Sequence, residues 1–141
     1  MATKTRAELK AYFETDDAPT EAQFGEMLDG VPNLEDDGIL LGGESGITAH
    51  AGGGQANAYE LTKYFNNVAT VANPGDSVML PLIVAGRTLF IGNTSANAID
   101  VFPQVGEQIE GLAVNAALSM AGGEGGIWGT DGVKWGYFKS A

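Results

Sequence analysis

The chain has 141 residues, with 18 Asp and Glu against 7 Lys and Arg, a net charge of −11 and no cysteine. That length fits one domain with an appendage; the missing cysteine excludes disulfides and thiolate-held metals, and the negative charge argues against binding nucleic acid or anionic lipid. A hydrophobic share of 44% describes a packed globular chain, and 21 glycines, about twice the usual ~7% share, mark many tight turns between short extended segments.

In chain order, the first 45 residues carry eleven acids and three bases, the remaining 96 seven acids and four. Thr5 and Glu8 stand at capping-box spacing ahead of an i, i+3, i+4 stripe of Leu9, Tyr12 and Phe13, which predicts a short helix over roughly residues 6–14. Asp16 to Pro19 breaks it. Thr20 and Gln23 repeat the capping spacing, and Phe24, Met27, Leu28 and Val31 form the apolar face of a second helix over about 20–30, stopped by Gly30 and Pro32. Helices this short need a surface to dock on, because nucleation is costly without a packed face.

Past Gly38 the texture changes to short apolar runs cut by Gly, Asn and Pro. Strands are predicted at Ile47–Ala51, Tyr64–Val71, Ser77–Leu80, Thr88–Gly92, Ile99–Phe102, Ala116–Met120, Gly126–Gly129 and Val133–Phe138. No long repeat period is visible. The expected architecture is mainly β: an antiparallel β-sandwich, jelly-roll-like or Ig-like, over residues 39–141, with a short N-terminal two-helix arm over residues 1–38. Val78–Leu80 with Thr88–Ile91, and Trp128 with Trp135 around Thr130-Asp131-Gly132, read as hairpins. The apolar stretches Val78–Ala85 and Leu112–Ala121 are too short to span a bilayer, and no secretory apolar region follows Lys4, Arg6 and Lys10.

Chemistry has few candidates. The single histidine, His50, falls in a predicted strand, where a half-buried or surface role outweighs that of a general base. Ser45 misses the nucleophile-elbow spacing. Glu35-Asp36-Asp37-Gly38 lacks the alternate-residue spacing of a calcium loop. Asp76, Asp100, Glu107, Glu110 and Asp131 supply carboxylates of the kind any acidic chain has. Gly52–Gly54 and Gly122–Gly126 lack a P-loop's Lys-Ser/Thr and read as turns. Asn93-Thr94-Ser95 matches a glycosylation sequon but is most simply a turn. Trp128, Trp135, Tyr137 and Phe138 form an aromatic concentration that could fill one end of a core, stack a sugar or line a subunit interface.

The segment Thr5–Thr15, continuing through Pro19–Phe24 to Asp36-Asp37-Gly38, resembles the N-terminal segment of many tailed-bacteriophage virion proteins. A second stretch, Asn93–Gln104 with Gly106, Ile109–Leu112 and Asn115–Ala117, is similar to a β-module of phage head-decoration, head-fibre and tail-fibre proteins. The resemblance implies a structural protein of the virion, made in the bacterial host cytoplasm, with no catalytic residues, cofactor or metal. Fibres usually continue into a long shaft while this sequence stops at Ala141. The expectation is therefore a capsid decoration (cement) protein on the head surface, a homotrimer bound to the major capsid protein and not to nucleic acid or membrane. A head-fibre or tail-fibre module for receptor or glycan attachment is the alternative. Leu9, Tyr12, Phe13, Phe24, Met27 and Leu28 would anchor the arm, and Trp135 and Tyr137 would join an interface.

Overall fold

The structure, a computed structural model, describes residues 20–29 and 40–140. The chain divides into two compact units, Met1–Asp37 and Gly38–Ala141. In the first unit the described element is helix α1, Glu21–Asp29. Its predicted capping box is formed: the Thr20 hydroxyl accepts the Gln23 N–H at 3.3 Å, and Gln23 Oε1 accepts the Thr20 N–H at 2.8 Å. The earlier predicted helix, with Leu9, Tyr12 and Phe13, lies outside the described residues.

In the second unit nine strands are described: β1 Gly43–Thr48, β2 Tyr59–Glu60, β3 Phe65–Thr70, β4 Asp76–Met79, β5 Thr88–Asn93, β6 Ile99–Phe102, β7 Leu118–Met120, β8 Gly125–Thr130 and β9 Trp135–Lys139. They form a five-stranded sheet ordered β1-β3-β5-β8-β9 and a four-stranded sheet ordered β2-β4-β6-β7. The mainly β composition stands; the antiparallel sandwich needs correction. Of the seven strand pairings described, β1 with β3, β3 with β5, β2 with β4 and β4 with β6 are parallel.

The reason lies in how the chain travels. Each of the first five strands is followed by a strand in the opposite sheet, so the chain returns to a sheet running in its former direction. Parallel neighbours need a long crossover, commonly a helix. Here the crossover is the strand in the other layer, and three successive coils stack: β1–β2, β3–β4 and β5–β6. Val78–Leu80 and Thr88–Ile91 are therefore not a hairpin, since β4 and β5 belong to different sheets. After β6 the pattern reverses. Strand β7 pairs antiparallel with β6, β8 antiparallel with β5, and the predicted β8–β9 hairpin closes the sheet. Asp131 Oδ1 accepts the N–H groups of Val133 and Lys134 at 2.8 and 3.1 Å and fixes that turn.

Between the sheets lies one apolar core, including Val68, Leu89, Ile91 and Trp128 from the larger sheet and Val78, Ile99, Val101 and Met120 from the smaller. Strict alternation in β5 buries Leu89, Ile91 and Asn93 and turns Thr88, Phe90 and Gly92 to the other face. At the end where β1, β3 and β5 finish, short polar side chains clip one coil to the next. The buried Asp76 carboxylate accepts the Gly52 and Asn73 N–H groups, both at 3.0 Å. Asn97 Nδ2 donates to the Val71 and Ala72 carbonyls at 2.9 and 3.1 Å. Gly53, at φ +68°, passes so close to Gly75 that a Cβ would stand 2.5 Å from its carbonyl oxygen.

Candidate interaction surface

His50 forms an isolated bridge with Ser77 and lies close enough to the Asp76 carboxylate to help hold it ionised. A histidine is thus paired through its backbone with a serine next to an aspartate, a juxtaposition invisible in the sequence because Ser77 carries no motif. Its chemistry is closed, however. Ser77 is fully buried with its hydroxyl donated to the Gly54 carbonyl at 2.9 Å, and both Asp76 oxygens face backbone N–H groups. Hydrogen bonds from Asn73 and Gly52, against an opposing effect of burial, hold the Asp76 carboxyl below its usual range. Asn93 is also spent: its amide donates to Asn97, Met120 and Ala121 carbonyls and its Oδ1 accepts from Ser95, so the sequon is a buried turn anchor. Among the described residues no cluster of three His, Asp or Glu side chains could hold a metal.

The C-terminal aromatics separate. Trp128 and Trp135 are completely buried, so in the folded unit Trp135 has no surface to offer a partner. Tyr137 is half-buried against Trp128, ring centroids 4.5 Å apart, and its hydroxyl donates to Glu124 Oε1 at 2.6 Å. Burial, and then the Glu124 carboxylate, push the Tyr137 phenol well above its ordinary value. Burial pushes Glu124 up, but Tyr137, Lys139 at 3.0 Å and the Ala121 N–H together bring it below the usual carboxylate range. Phe138, one residue out of phase, faces outward. Phe24 of α1 is also exposed, and Met27 and Leu28 fall in the second half of that helix.

Two features of the surface stand out instead. The first is a row across the outer face of the larger sheet, set by register: Phe65 opposite Phe90, Phe90 opposite Ile127, Ile127 opposite Phe138. Phe65 and Phe90 stack with centroids 5.1 Å apart and planes within 6°. Phe65 is 45%, Ile127 49% and Phe138 70% exposed. A groove of about 310 Å³ runs beside Phe90, bounded by Asn67, Thr94, Glu124 and Ser140.

The second lies at the end where β4 and β6 finish and β5 starts. The β4–β5 loop, the long β6–β7 loop and the β8–β9 turn are tied together there: the Ile83 N–H donates to Glu107 Oε1 at 2.7 Å, the Gly86 N–H to the Thr130 carbonyl at 2.9 Å, and the Glu110 N–H to the Trp135 carbonyl at 2.7 Å. These loops hold out Leu82 (62% exposed), Val105 (77%), Val114 (54%) and Val133 (70%). Leu41, also exposed, enters β1 at the same end. Of these residues the sequence pointed to Phe138 alone, because a row needs the pairing register and a loop end needs the topology. Compared with known protein families, characterised proteins and solved structures, the chain matches none.

Proposed function

We propose that this chain is a decoration (cement) protein of a tailed-bacteriophage head, which works as an oligomer and braces the shell by non-covalent contact. The observation that carries the reading is the loop end with Leu82, Val105, Val114 and Val133: four well-exposed aliphatic side chains on loops fastened to one another. Isolated exposed aliphatics are ordinary, but several held at one end of a rigid body suit a surface that another protein covers. Adhesion of this kind needs no reacting groups. Each weak site gains from repetition over a shell that presents many copies of one partner, the major capsid protein.

In this reading the acidic N-terminal region is a two-helix arm, of which α1 is the second helix, and Phe24 lies on its docking face. The alternative, a fibre module that attaches to a receptor or glycan, draws support from the polar-edged groove beside Phe90, with Asn67 and Thr94 on its rim. Co-sedimentation with undecorated phage heads tests the first reading. Wild-type protein is expected to pellet with the shells, and a Leu82→Ser, Val105→Ser, Val133→Ser variant to stay in the supernatant with its β circular dichroism intact. Failure of wild-type protein to bind shells, together with Asn67-dependent binding on a bacterial glycan array, would overturn it in favour of the alternative.

A further inference from the structure

We infer that the outer face of the five-stranded sheet is the surface on which two copies of this chain associate, apolar row against apolar row. Charge restricts what can cover this face. Any second copy brings the same net −11, and like charges facing each other across an interface are costly. Copies close most readily over a surface free of charge. The outward positions, fixed in four strands by alternation from the buried Val68, Leu89, Ile91, Trp128 and Trp135 and in β1 by its register with β3 (Gly43 opposite Phe65, Ser45 opposite Asn67), carry Gly, Ser, Thr, Asn, Ala, Phe and Ile and no charged residue; Glu44 stands opposite the buried Asn66 and so belongs to the core side. The one carboxylate bordering the groove beside Phe90, Glu124, is already engaged by Tyr137 and Lys139, so a basic partner would find little to pair with. An identical chain finds no repulsion.

Relief points the same way. The ridge of Phe90, Ile127 and Phe138 is flanked by glycines on both sides: Gly92 opposite Gly125 toward one end of the strands, and Gly129 opposite Gly136 toward the other. A ridge with a shallow trough beside it complements itself under a twofold rotation when the two copies are offset by two residues, ~7 Å along the strand. The area is adequate as well. Five strands about 4.8 Å apart and up to six residues long make a face of roughly 24 by 20 Å, about 480 Å² in projection, on the scale of the ~800 Å² of accessible surface per partner in a stable interface. A sugar is the poorer occupant of the row, because Phe65 and Phe90 lay their ring faces on each other instead of leaving them open.

Sedimentation velocity on the full chain at ~10–100 µM tests this. Wild-type protein is expected to sediment as a dimer or a multiple of it. Ile127→Glu with Phe138→Glu, both at exposed positions, is expected to sediment as a monomer with its β circular dichroism intact. The uncharged Phe138→Ser is expected to raise the dissociation constant at least tenfold. Mixing the Ile127→Glu, Phe138→Glu chain with an Ile127→Lys, Phe138→Lys chain is expected to restore association, which only two such faces meeting each other could do. A wild-type monomer at 100 µM, or a trimer that survives the glutamate substitutions, would overturn the inference. No phage head enters this assay, so self-association that persists without shell binding sinks the decoration reading and leaves this one standing.

Discussion

Asp76 shows how one side chain sets both local structure and pH response. It is a buried carboxylate whose oxygens are filled by N–H groups from the loops of two successive coils, so the ionised form is favoured in the folded state and its pKa lies below the ordinary 3.8. A depressed folded pKa adds stability above the unfolded value and loses it as pH falls through the folded one. Thermal melts from pH 7 to pH 2 are therefore expected to decline below about pH 4. Asp76→Asn, which turns one acceptor into a donor facing the N–H groups, is expected to melt lower than wild type at pH 7, with the gap shrinking as the wild-type carboxyl protonates. A constant gap over the whole range would separate the acid response from this residue. Asp76 was visible in the sequence only as one acid among eighteen, since Gly52, 24 residues away, meets it only through the stacking of coils, whereas Asn73 belongs to its own turn.

At the scale of elements, the β8–β9 hairpin depends on a missing side chain. Gly126 faces the half-buried Tyr137 ring, and a Cβ there would lie 2.4 Å from Tyr137 Cε2 and 2.6 Å from the Phe138 carbonyl oxygen. The ring could swing away only by giving up its bond to Glu124, and the backbone oxygen is fixed by the strand pairing. Gly126→Ala is expected to cost about 1–3 kcal/mol in urea unfolding. Gly129→Ala, in the same strand but with only the Thr88 hydroxyl nearby at 3.9 Å, serves as the tolerated control. The turn itself was readable, because Thr130-Asp131-Gly132 supplies its own hydrogen bonds within a few residues. So was the capping box at Thr20 and Gln23, for the same reason of short range.

For the whole second unit, stacked coils mean that stability is shared between neighbours along the stack and lowest where a coil has a neighbour on one side only. Strands β1 and β2 form such an end, each pairing with a single strand, whereas β4 lies between β2 and β6, and β5 between β3 and β8. Native-state hydrogen exchange is expected to show the slowest amides at Val78, Ile91 and Val101, with β1 and β2 exchanging faster. Uniform protection across all strands would mean that the unit opens as a single block.

Each of the eight predicted strands overlaps a strand of the structure, the first, Ile47–Ala51, only at Ile47 and Thr48 of β1, because alternation and turn residues act over a few positions and need no knowledge of partners. Strand β2, two residues long, left too little pattern to see. Which strands would pair was a different matter. Partners such as Gly43 and Phe65, Phe65 and Phe90, or Tyr59 and Val78 are 22, 25 and 19 residues apart, so the coils leave no constant period in the sequence. Local chemistry thus determined where the chain extends, turns and caps its helix. The parallel stacking, the burial of Trp135, the outward row from Phe65 to Phe138 and the apolar loop end were decided by tertiary structure, because each depends on free energy gained when segments distant in sequence exclude water together.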